Sequence, residues 1–338
     1  MTSSRLSLAL EAGAVALPET GPIAVYRPPA GMDLSGLGDP ARLRIAHGFA
    51  PDHEWWQATG VATAPGAPTD AVAALVVLPR VRAQAQDLLA RAASHGGPVL
   101  VDGQKTDGID AILKALKPRV DLSQAFSKAH GKIAQFTAPA EALADWRLPD
   151  ISETPSGWWT APGLFSADGP DPGSLALADA LPPLKGRVAD LGSGWGLLAA
   201  HVLRHPGVTE VVLVEAEHAG LAAARANVSD PRARFHWADA TRWGTPSSVD
   251  HVVTNPPFHT SRAADPALGA AFIASAARLL APRGTLWLVA NRHLPYERAL
   301  ATYFAEVRPL SEGRGYKIVS ASGPRSPAAA PRAPRRRT

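Results

Sequence analysis

The sequence predicts an α/β protein that consists of two tandem domains, each with a doubly wound and mostly parallel sheet. Its 338 residues correspond to about two domains of average size. The second half alternates short apolar runs with amphipathic stretches, which is typical of β-α-β units and a parallel sheet. The first half repeats part of this order, which indicates an internal duplication of one α/β domain.

The second half contains the clearer secondary-structure pattern. Strands are predicted at residues 187–191, 210–214, 235–238, 251–254, 285–290 and 317–320. Helices are predicted at residues 197–203, 221–227, 268–280 and 296–304, with a turn at 282–284. Strands that alternate with helices in this way favour a sheet that is covered by helices on both faces.

The first half contains a matching series of elements. Strand 73–79, strand 98–102 and helix 108–116 follow one another in the same order as strand 250–256, strand 286–290 and the helix from residue 296. Both series close on a similar strand, at 131–134 and at 316–319. We therefore predict a first domain at 1–140, a linker at 141–162, a second domain at 163–322 and a disordered basic tail at 323–338. The alternative is that two unrelated α/β stretches share the same rhythm.

The composition excludes several classes of protein. Hydrophobic residues make up 46% of the chain and charged residues 19%, so folded cores are expected and disorder throughout is excluded. The absence of cysteine excludes disulfides, thiolate nucleophiles and cysteine-based metal sites. His201 and His205 lack the glutamate of a zinc-protease motif, so no metal is expected. No apolar stretch reaches about 18 residues, and a cytoplasmic monomer without membrane contact is expected.

The positive charge is distributed unevenly along the chain. The net charge is +4 and the pI is near 9.6, a balance that indicates a polyanionic partner. Five arginines lie in residues 324–338, and residues 80–132 carry nine basic and five acidic residues, whereas residues 151–322 are neutral. We therefore expect a polyanion to contact the first half, through Arg80, Arg82, Lys128 and Lys132.

A glycine-rich loop follows the first strand of the second half and opens a helix. It reads Asp190-Leu-Gly192-Ser193-Gly194-Trp-Gly196. Its glycines allow a ligand to approach the backbone, and their spacing differs from the nicotinamide dinucleotide motif, which favours another nucleoside cofactor. Glu215 and Asp239 end the next two strands, where a carboxylate can accept hydrogen bonds from ribose hydroxyls or from an adenine amino group. The alternative for either acid alone is a solvated strand end.

The fourth strand of the second half ends at Asn255-Pro256-Pro257-Phe258-His259. Two consecutive prolines end the strand and form a stiff turn. We expect this turn to hold the Asn255 side-chain oxygen and the Pro256 carbonyl as converging acceptors, with the Phe258 ring beside them. Such acceptors suit a planar amino group on a π system, because accepting both N–H bonds localises the nitrogen lone pair for attack. The alternative is an ordinary proline-rich loop.

Together these motifs resemble the class I S-adenosylmethionine-dependent methyltransferases. The Asn-Pro-Pro-Phe-His segment and the degenerate first half are similar to the family that methylates guanine N2 in ribosomal RNA, with the small-subunit 16S enzyme as its type. The resemblance implies two tandem Rossmann-like methyltransferase domains with seven-stranded sheets, of which the N-terminal copy has lost its cofactor site. It also implies methyl transfer from S-adenosyl-L-methionine to a guanine in ribosomal RNA, with the small subunit as the favoured partner.

The resemblance gives each motif residue an expected role. The amino-acid end of the cofactor would contact Asp190, Gly192, Ser193, Gly194 and Gly196, its ribose would contact Glu215, and its adenine would contact Asp239 and Ala240. The target base would be oriented by Asn255, Pro256, Pro257 and Phe258, and His259 would line the pocket. The first half has Leu78-Pro79-Arg80 where the second half has Asn255-Pro256-Pro257, and it contains no equivalent glycine loop. These differences agree with a degenerate copy that helps to recognise RNA.

Two further observations accompany the resemblance. Phe165, Ser166 and residues 171–174 are similar to a family segment that precedes the first strand and lies over the cofactor. The same chemistry would serve adenine N6 in nucleic acid or a glutamine amide in a protein, although those families usually carry tyrosine after the second proline. A non-catalytic RNA-binding module that retains cofactor affinity is a third interpretation.

Overall fold

The structure, a computed structural model, describes residues 4–257, 266–313 and 315–325. The chain divides into two compact units, Met1–Asp150 and Ile151–Thr338, which we name the N-terminal unit and the C-terminal unit. Each unit has one main sheet, and buried apolar clusters lie on both faces of that sheet. A sheet that is covered on both faces is the usual setting for parallel strands.

The N-terminal unit contains four described α-helices and eight described strands. The helices are α1 (Arg5–Glu11), α2 (Ala50–Ala58), α3 (Arg82–Ala93) and α4 (Ile109–Leu116). The strands are β1 (Ile23–Tyr26), β2 (Leu43–Ala46), β3 (Ala62–Ala64), β4 (Ala73–Val77), β5 (Val99–Gln104), β6 (Asp121–Leu122), β7 (Phe126–Lys128) and β8 (Gly131–Thr137). Short 3-10 helices occupy Ser35–Leu37, Pro40–Arg42, Lys105–Asp107 and Ala140–Trp146.

The C-terminal unit contains five described α-helices and nine described strands. The helices are α5 (Pro172–Ala180), α6 (Leu197–Val202), α7 (His218–Asn227), α8 (Pro266–Leu279) and α9 (Glu297–Tyr303). The strands are β9 (Ser152–Glu153), β10 (Trp159–Thr160), β11 (Lys185–Leu191), β12 (Gly207–Glu215), β13 (Ala233–Trp237), β14 (Val249–Thr254), β15 (Leu280–Asn291), β16 (Phe304–Gly313) and β17 (Tyr316–Pro324). Strands β9 and β10 form a separate antiparallel pair.

The two main sheets share one topology. The N-terminal sheet has the order β3-β2-β1-β4-β5-β8-β6, with β7 also paired to β8, and the C-terminal sheet has the order β13-β12-β11-β14-β15-β17-β16. In each sheet the first five strands are parallel, and the remaining pairs are antiparallel. The shared order supports the internal duplication that the sequence predicts, and the doubly wound α/β fold class is confirmed.

Most strands predicted in the C-terminal half lie within observed strands, and the main difference concerns residues 282–284. The sequence predicts a turn there, but β15 runs from Leu280 to Asn291. Its pairing with β14 shifts between Val249, which faces Leu280, and His251, which faces Thr285. A β-bulge between β14 and β15 therefore accommodates Pro282 and Gly284, the residues that indicated a turn. Helix α5 and strand β16 were not predicted.

The sequence also predicts a linker at 141–162, and part of this segment belongs to the N-terminal unit. The 3-10 helix Ala140–Trp146 places Leu143 and Trp146 in the buried cluster under α3. Further along, Ser152–Glu153 pairs with Trp159–Thr160 as the β9–β10 ribbon of the C-terminal unit. The predicted linker is therefore anchored by buried side chains at its start and by strand pairing near its end.

The duplicated topology shows what replaces the predicted cofactor carboxylate in the N-terminal unit. Asp190 faces Val253 across β11 and β14, and Tyr26 faces Val76 across β1 and β4. Each valine is followed by the last residue of its strand, so Tyr26 occupies the position of Asp190. Its side chain is 1% exposed and its hydroxyl lies 2.8 Å from Nε2 of His95. A large aromatic ring therefore fills this position in the N-terminal sheet.

Candidate active site

The candidate site lies at the carboxyl edge of the C-terminal sheet, where β11 and β14 are neighbours. The chain leaves β11 toward β12 on one side and leaves β14 toward β15 on the other, so the edge between them is a topological switch point. Ligands of doubly wound sheets bind at such a point. The hydroxyl of Thr254 donates a 2.7 Å hydrogen bond to the Leu191 carbonyl. This bond holds the glycine loop and the Asn-Pro-Pro turn at adjacent strand ends.

The glycine loop is shaped by backbone hydrogen bonds from the next strand. The amides of Gly192 and Ser193 both donate to the Val214 carbonyl, at 2.9 and 3.1 Å. Gly192 and Gly194 have φ values of +70° and +54°, in the left-handed region that favours glycine. A Cβ atom at Gly194 would meet no atom within 4 Å among the described residues. The loop therefore turns an open backbone surface toward this edge of the sheet.

Asp190 and Ser193 present polar atoms that are buried and unpaired. Asp190 is 1% exposed, and its Oδ2 accepts a 3.0 Å hydrogen bond from the Ala199 amide. Its Oδ1 and the Ser193 hydroxyl find no hydrogen-bond partner in the part of the chain that the structure describes. Burial, together with the neighbouring Glu215 carboxylate, raises the pKa of Asp190 to about 8. Unpaired buried polar atoms are costly, and they commonly mark a place where a ligand completes the hydrogen bonding.

Glu215 sits at the end of β12 and contacts the glycine loop directly. Its Oε2 accepts a 2.7 Å hydrogen bond from the Gly194 amide, and its Oε1 accepts a 2.8 Å bond from the Glu217 amide. Burial raises the pKa of this carboxyl above its usual range. Helix α7 packs closely against the Glu215 side chain at Gly220, because a Cβ there would lie only 2.9 Å from the Glu215 Cγ. No sequence motif indicated Gly220, which was therefore not among the predicted site residues.

Asp239 and Ala240 follow β13 at the same edge. Asp239 Oδ1 accepts hydrogen bonds from the Thr241 amide and hydroxyl, at 2.8 and 2.7 Å, which fixes the side chain in a tight turn. Ala240 is buried, and its carbonyl accepts a 2.7 Å bond from the Ser275 hydroxyl on α8. The turn after β13 is therefore anchored to a helix.

The Asn-Pro-Pro turn follows β14, and Asn255 is held from one side. Its Nδ2 donates to Asp171 Oδ2 at 3.1 Å and to Ser174 Oγ at 2.9 Å. Pro256 is buried and Pro257 is exposed. Phe258 and His259, which the sequence places in the substrate pocket, lie outside the described residues. The contact from Asp171 and Ser174 to Asn255 was not predicted, since 81 or more residues separate the partners.

A second unpredicted element beside the loop is strand β10. The Asn227 side chain accepts a 2.8 Å bond from the Trp159 amide, and its Nδ2 donates to the carbonyls of Trp159 and Trp195 at 2.7 and 2.8 Å. This amide ties β10 to the glycine loop. Thr160, the next residue of β10, is 5% exposed, and within the described ranges its hydroxyl finds no partner.

The four predicted polyanion contacts lie in the N-terminal unit. Arg80 Nε is 3.4 Å from Asp107, and Lys132 Nζ is 2.7 Å from Asp110. Arg82 and Lys128 are exposed. Lys128 faces Gly131, which in turn faces Gln104 at the carboxyl end of β5. Arg80 follows the carboxyl end of β4, so these residues lie along the same edge of the N-terminal sheet.

The described residues contain neither a metal-binding cluster nor a membrane-spanning helix. Across residues 4–257, 266–313 and 315–325, no group of three or more histidine, aspartate or glutamate side chains is arranged to hold a metal ion. Over those same ranges, no helix is long and apolar enough to cross a membrane.

The chain is similar to one protein-family model and to several curated proteins. The model of the methyltransferase small domain family matches residues 157–320. Ribosomal RNA small subunit methyltransferase C of Shewanella oneidensis is 31% identical over 257 residues, which cover 72% of this chain and 75% of the relative. The Hahella chejuensis protein of the same name is 30% identical over 283 residues, which cover 79% and 82%.

Solved structures include one that matches nearly the whole chain. The T. thermophilus 16S rRNA N2 methyltransferase, in complex with AdoMet and guanosine, aligns with a TM-score of 0.76. The alignment covers 95% of this chain and 92% of that one, at 24% identity. This likeness shows that the two chains share a fold over both units.

Proposed function

The chain belongs to the ribosomal RNA small subunit methyltransferase C family, and we propose that it transfers a methyl group from S-adenosyl-L-methionine to N2 of a guanine in 16S ribosomal RNA. One observation carries the proposal. The glycine loop, with unpaired polar atoms on Asp190 and Ser193, and the anchored amide of Asn255 lie at adjacent strand ends. A cofactor loop and an amine-binding group at one edge are what transfer to an amino group needs.

The residues at the glycine loop fit this cofactor. Its ammonium and carboxylate groups suit the unpaired Asp190 Oδ1 and the Ser193 and Thr160 hydroxyls, and the open space at Gly194 admits its chain. The Glu215 carboxylate accepts one bond on each oxygen and keeps lone pairs for ribose hydroxyls. We assign the contact with adenine to Asp239 Oδ2 and the turn at Ala240. When bound, the cofactor supplies an electrophilic methyl group.

Asn255 and Pro256 provide the acceptors for the target amine. With Nδ2 of Asn255 bound to Asp171 and Ser174, its Oδ1 is the remaining polar atom of the side chain. We assign Oδ1 and the Pro256 carbonyl as acceptors for the two N–H bonds of guanine N2, with Phe258 stacked on the base. The nitrogen gains the methyl group and loses one proton. Because the methylated nitrogen is strongly acidic before that loss, water suffices as the acceptor, and His259 is assigned to the pocket wall.

RNA binding is assigned to the basic edge of the N-terminal unit. Arg80, Arg82, Lys128 and Lys132 provide phosphate contacts, while residues 151–322 carry no net charge. A guanine in a duplex would have to leave the stack, so unpaired or loosely structured RNA is the favoured substrate. Because the loop, the Asn-Pro-Pro turn and the basic edge all belong to one chain, we propose that a monomer acts on the small subunit or its RNA in the cytoplasm.

The test is methyl transfer to defined substrates. The protein and a methyl-labelled cofactor are incubated separately with small subunits, large subunits, naked 16S RNA and naked 23S RNA, and the nucleosides are identified by mass spectrometry. We expect N2-methylguanosine from 16S RNA, and we expect the Asn255→Ala variant to form it at least a hundredfold more slowly. N6-methyladenosine, label in protein, or cofactor binding without turnover would each replace the proposal with one of the alternative functions.

A further inference from the structure

The amide of Asn255 is held by two residues of helix α5, which precedes the sheet in the chain. We propose that Asp171, supported by Ser174, is a positioning residue that fixes the orientation of the Asn255 amide so that its oxygen faces the target amine. This inference rests on the proposed function, since it concerns how Asn255 presents its acceptor. It assigns a role in turnover to a side chain that also caps a helix.

The partners of Asn255 determine which end of its amide faces them. Asp171 Oδ2 lies 3.1 Å from Nδ2, and Ser174 Oγ lies 2.9 Å from it, so two acceptors receive the two amide protons. If the amide turned over, its oxygen would face the Asp171 carboxylate, and two acceptors would meet without a proton between them. The Ser174 hydroxyl can donate as well as accept, so it tolerates either orientation. Asp171 is therefore the residue that favours one orientation of the Asn255 amide over the other.

Asp171 is itself fixed by its surroundings. It is 7% exposed, and its Oδ2 also accepts a 2.8 Å bond from the Ser174 amide as the N-cap of α5. Burial, and after it the nearby Asp171 carboxylate, raise the pKa of the Tyr316 hydroxyl on β17. Gly173 lets the Tyr316 ring approach, since a Cβ there would lie 2.8 Å from it. The backbone amide of Ser174 and the side-chain amide of Asn255 both donate to the same carboxylate oxygen, which fixes the Asp171 side chain between α5 and the Asn-Pro-Pro turn.

The same chain of bonds has an electrostatic consequence. A carboxylate that accepts from an amide N–H makes the amide oxygen a stronger acceptor, because linked hydrogen bonds polarise one another in a poorly hydrated site. Positive charge develops on the guanine nitrogen as it gains the methyl group. Asp171 therefore favours the transition state through Asn255, and its loss should lower kcat more than it raises KM.

Substitutions at Asp171 can separate positioning from helix capping. Asparagine and serine are both good N-caps, so Asp171→Asn and Asp171→Ser keep α5 capped. Asparagine removes the charge and can offer Asn255 either an oxygen or an amino group, and serine is too short to reach it. Asp179→Asn is the matched control, because it removes one exposed carboxylate from the same helix. Circular dichroism and melting temperature verify the fold of each variant.

The decisive experiment is a double-mutant cycle with Asn255→Ala, scored as N2-methylguanosine formed on 16S RNA under single-turnover conditions. We expect both Asp171 variants to lower the rate at least tenfold with cofactor affinity unchanged by calorimetry. We expect neither to lower it further in the Asn255→Ala background, and we expect Asp179→Asn to match wild type.

Two results would overturn the inference. An Asp171→Asn effect that is equally large without the Asn255 side chain would show that Asp171 acts elsewhere. Weaker cofactor binding with an unchanged rate at saturation would assign Asp171 to the cofactor. The proposed function fails separately, if wild-type protein forms a different product. The same cycle is then scored on that product, because Asn255 would still orient its amine.

Discussion

The backbone amide of Gly194 donates a 2.7 Å hydrogen bond to Oε2 of Glu215. The acid that was predicted to bind ribose therefore also holds the glycine loop. We expect Glu215→Gln to weaken binding of S-adenosyl-L-methionine about 10- to 100-fold, because an amide group cannot accept from both backbone amides that now donate to the carboxylate. Isothermal titration calorimetry measures the affinity.

The matched control for this change is Glu210→Gln, five residues before Glu215 in β12. Glu210 pairs with Arg187 at 2.7 Å, so this variant removes the same charge from the same strand. It should leave cofactor affinity unchanged. Equal affinities of wild type and Glu215→Gln would remove Glu215 from the cofactor site.

The open space at Gly194 predicts that Gly194→Ala blocks the cofactor more than it harms the fold. A Cβ would meet nothing within 4 Å, so the variant loses only about 1–2 kcal/mol of stability through its φ of +54°. Gly31 has a φ of +77° and equally open surroundings in the N-terminal unit. Gly31→Ala should show a similar loss of stability in urea and normal cofactor affinity. Normal affinity in Gly194→Ala would place the cofactor elsewhere.

Asn255→Ala tests the amine-binding group. We expect the rate of methyl transfer to fall at least a hundredfold, about 2.7 kcal/mol, as for loss of one transition-state hydrogen-bond partner. Cofactor affinity should stay near the wild-type value, since the contacts assigned to the cofactor lie on other residues. The rate is measured by single turnover on 16S RNA at saturating cofactor. Turnover close to that of wild type would contradict the mechanism.

The raised pKa of Asp190 predicts how stability depends on pH. In the folded protein this pKa is about 8, against an ordinary value of 3.8, so between these values the folded state keeps a proton that the unfolded chain has lost. The contribution of Asp190 to stability is therefore full below pH 3.8, falls as pH rises, by at most about 1.4 kcal/mol per pH unit, and levels off above pH 8.

Asp190→Asn should remove this dependence. We expect the free energy of unfolding of the variant, relative to wild type, to increase between pH 3.8 and about pH 8 and then to stay constant. Urea unfolding without cofactor, at a series of pH values, measures the difference. A difference that is constant across the window would show that Asp190 ionises normally.

The ion pairs of the N-terminal unit predict unequal effects on RNA affinity. Lys128 is exposed, whereas Lys132 lies 2.7 Å from Asp110. We expect Lys128→Ala to weaken RNA binding and to reduce the slope of log affinity against log salt by about 0.7–0.9 for each phosphate that the variant no longer neutralises. Asp110→Asn should strengthen binding, because it frees Lys132. Fluorescence anisotropy across salt concentrations measures both.

A combined variant tests whether the basic residues outside the C-terminal unit supply the phosphate contacts to RNA. Removal of residues 324–338, together with neutralisation of Arg80, Arg82, Lys128 and Lys132, should abolish most salt-dependent RNA binding while cofactor affinity stays normal. If RNA affinity and its salt slope stayed intact, the C-terminal unit would have to supply the phosphate contacts.

The sequence by itself determined the fold class and the position of the glycine loop. Alternating strands and helices follow from local hydrophobic patterns, and glycines at 192, 194 and 196 are required by local backbone geometry. Both signals lie within a few residues of the feature that they predict. The roles of Glu215, Asp239 and Asn255 stay predictions, although the structure places all three at one sheet edge with the loop.

Only the tertiary structure decided which side chains meet across the chain. The contact of Asp171 with Asn255 joins residues 84 positions apart. The equivalence of Tyr26 in the N-terminal sheet to Asp190 in the C-terminal sheet is visible only from the strand register of the two sheets. Strand β15 likewise absorbs a predicted turn because its pairing with β14 outweighs local proline and glycine preferences. Hydrogen bonds and packing between distant segments depend on topology, which local sequence patterns do not encode.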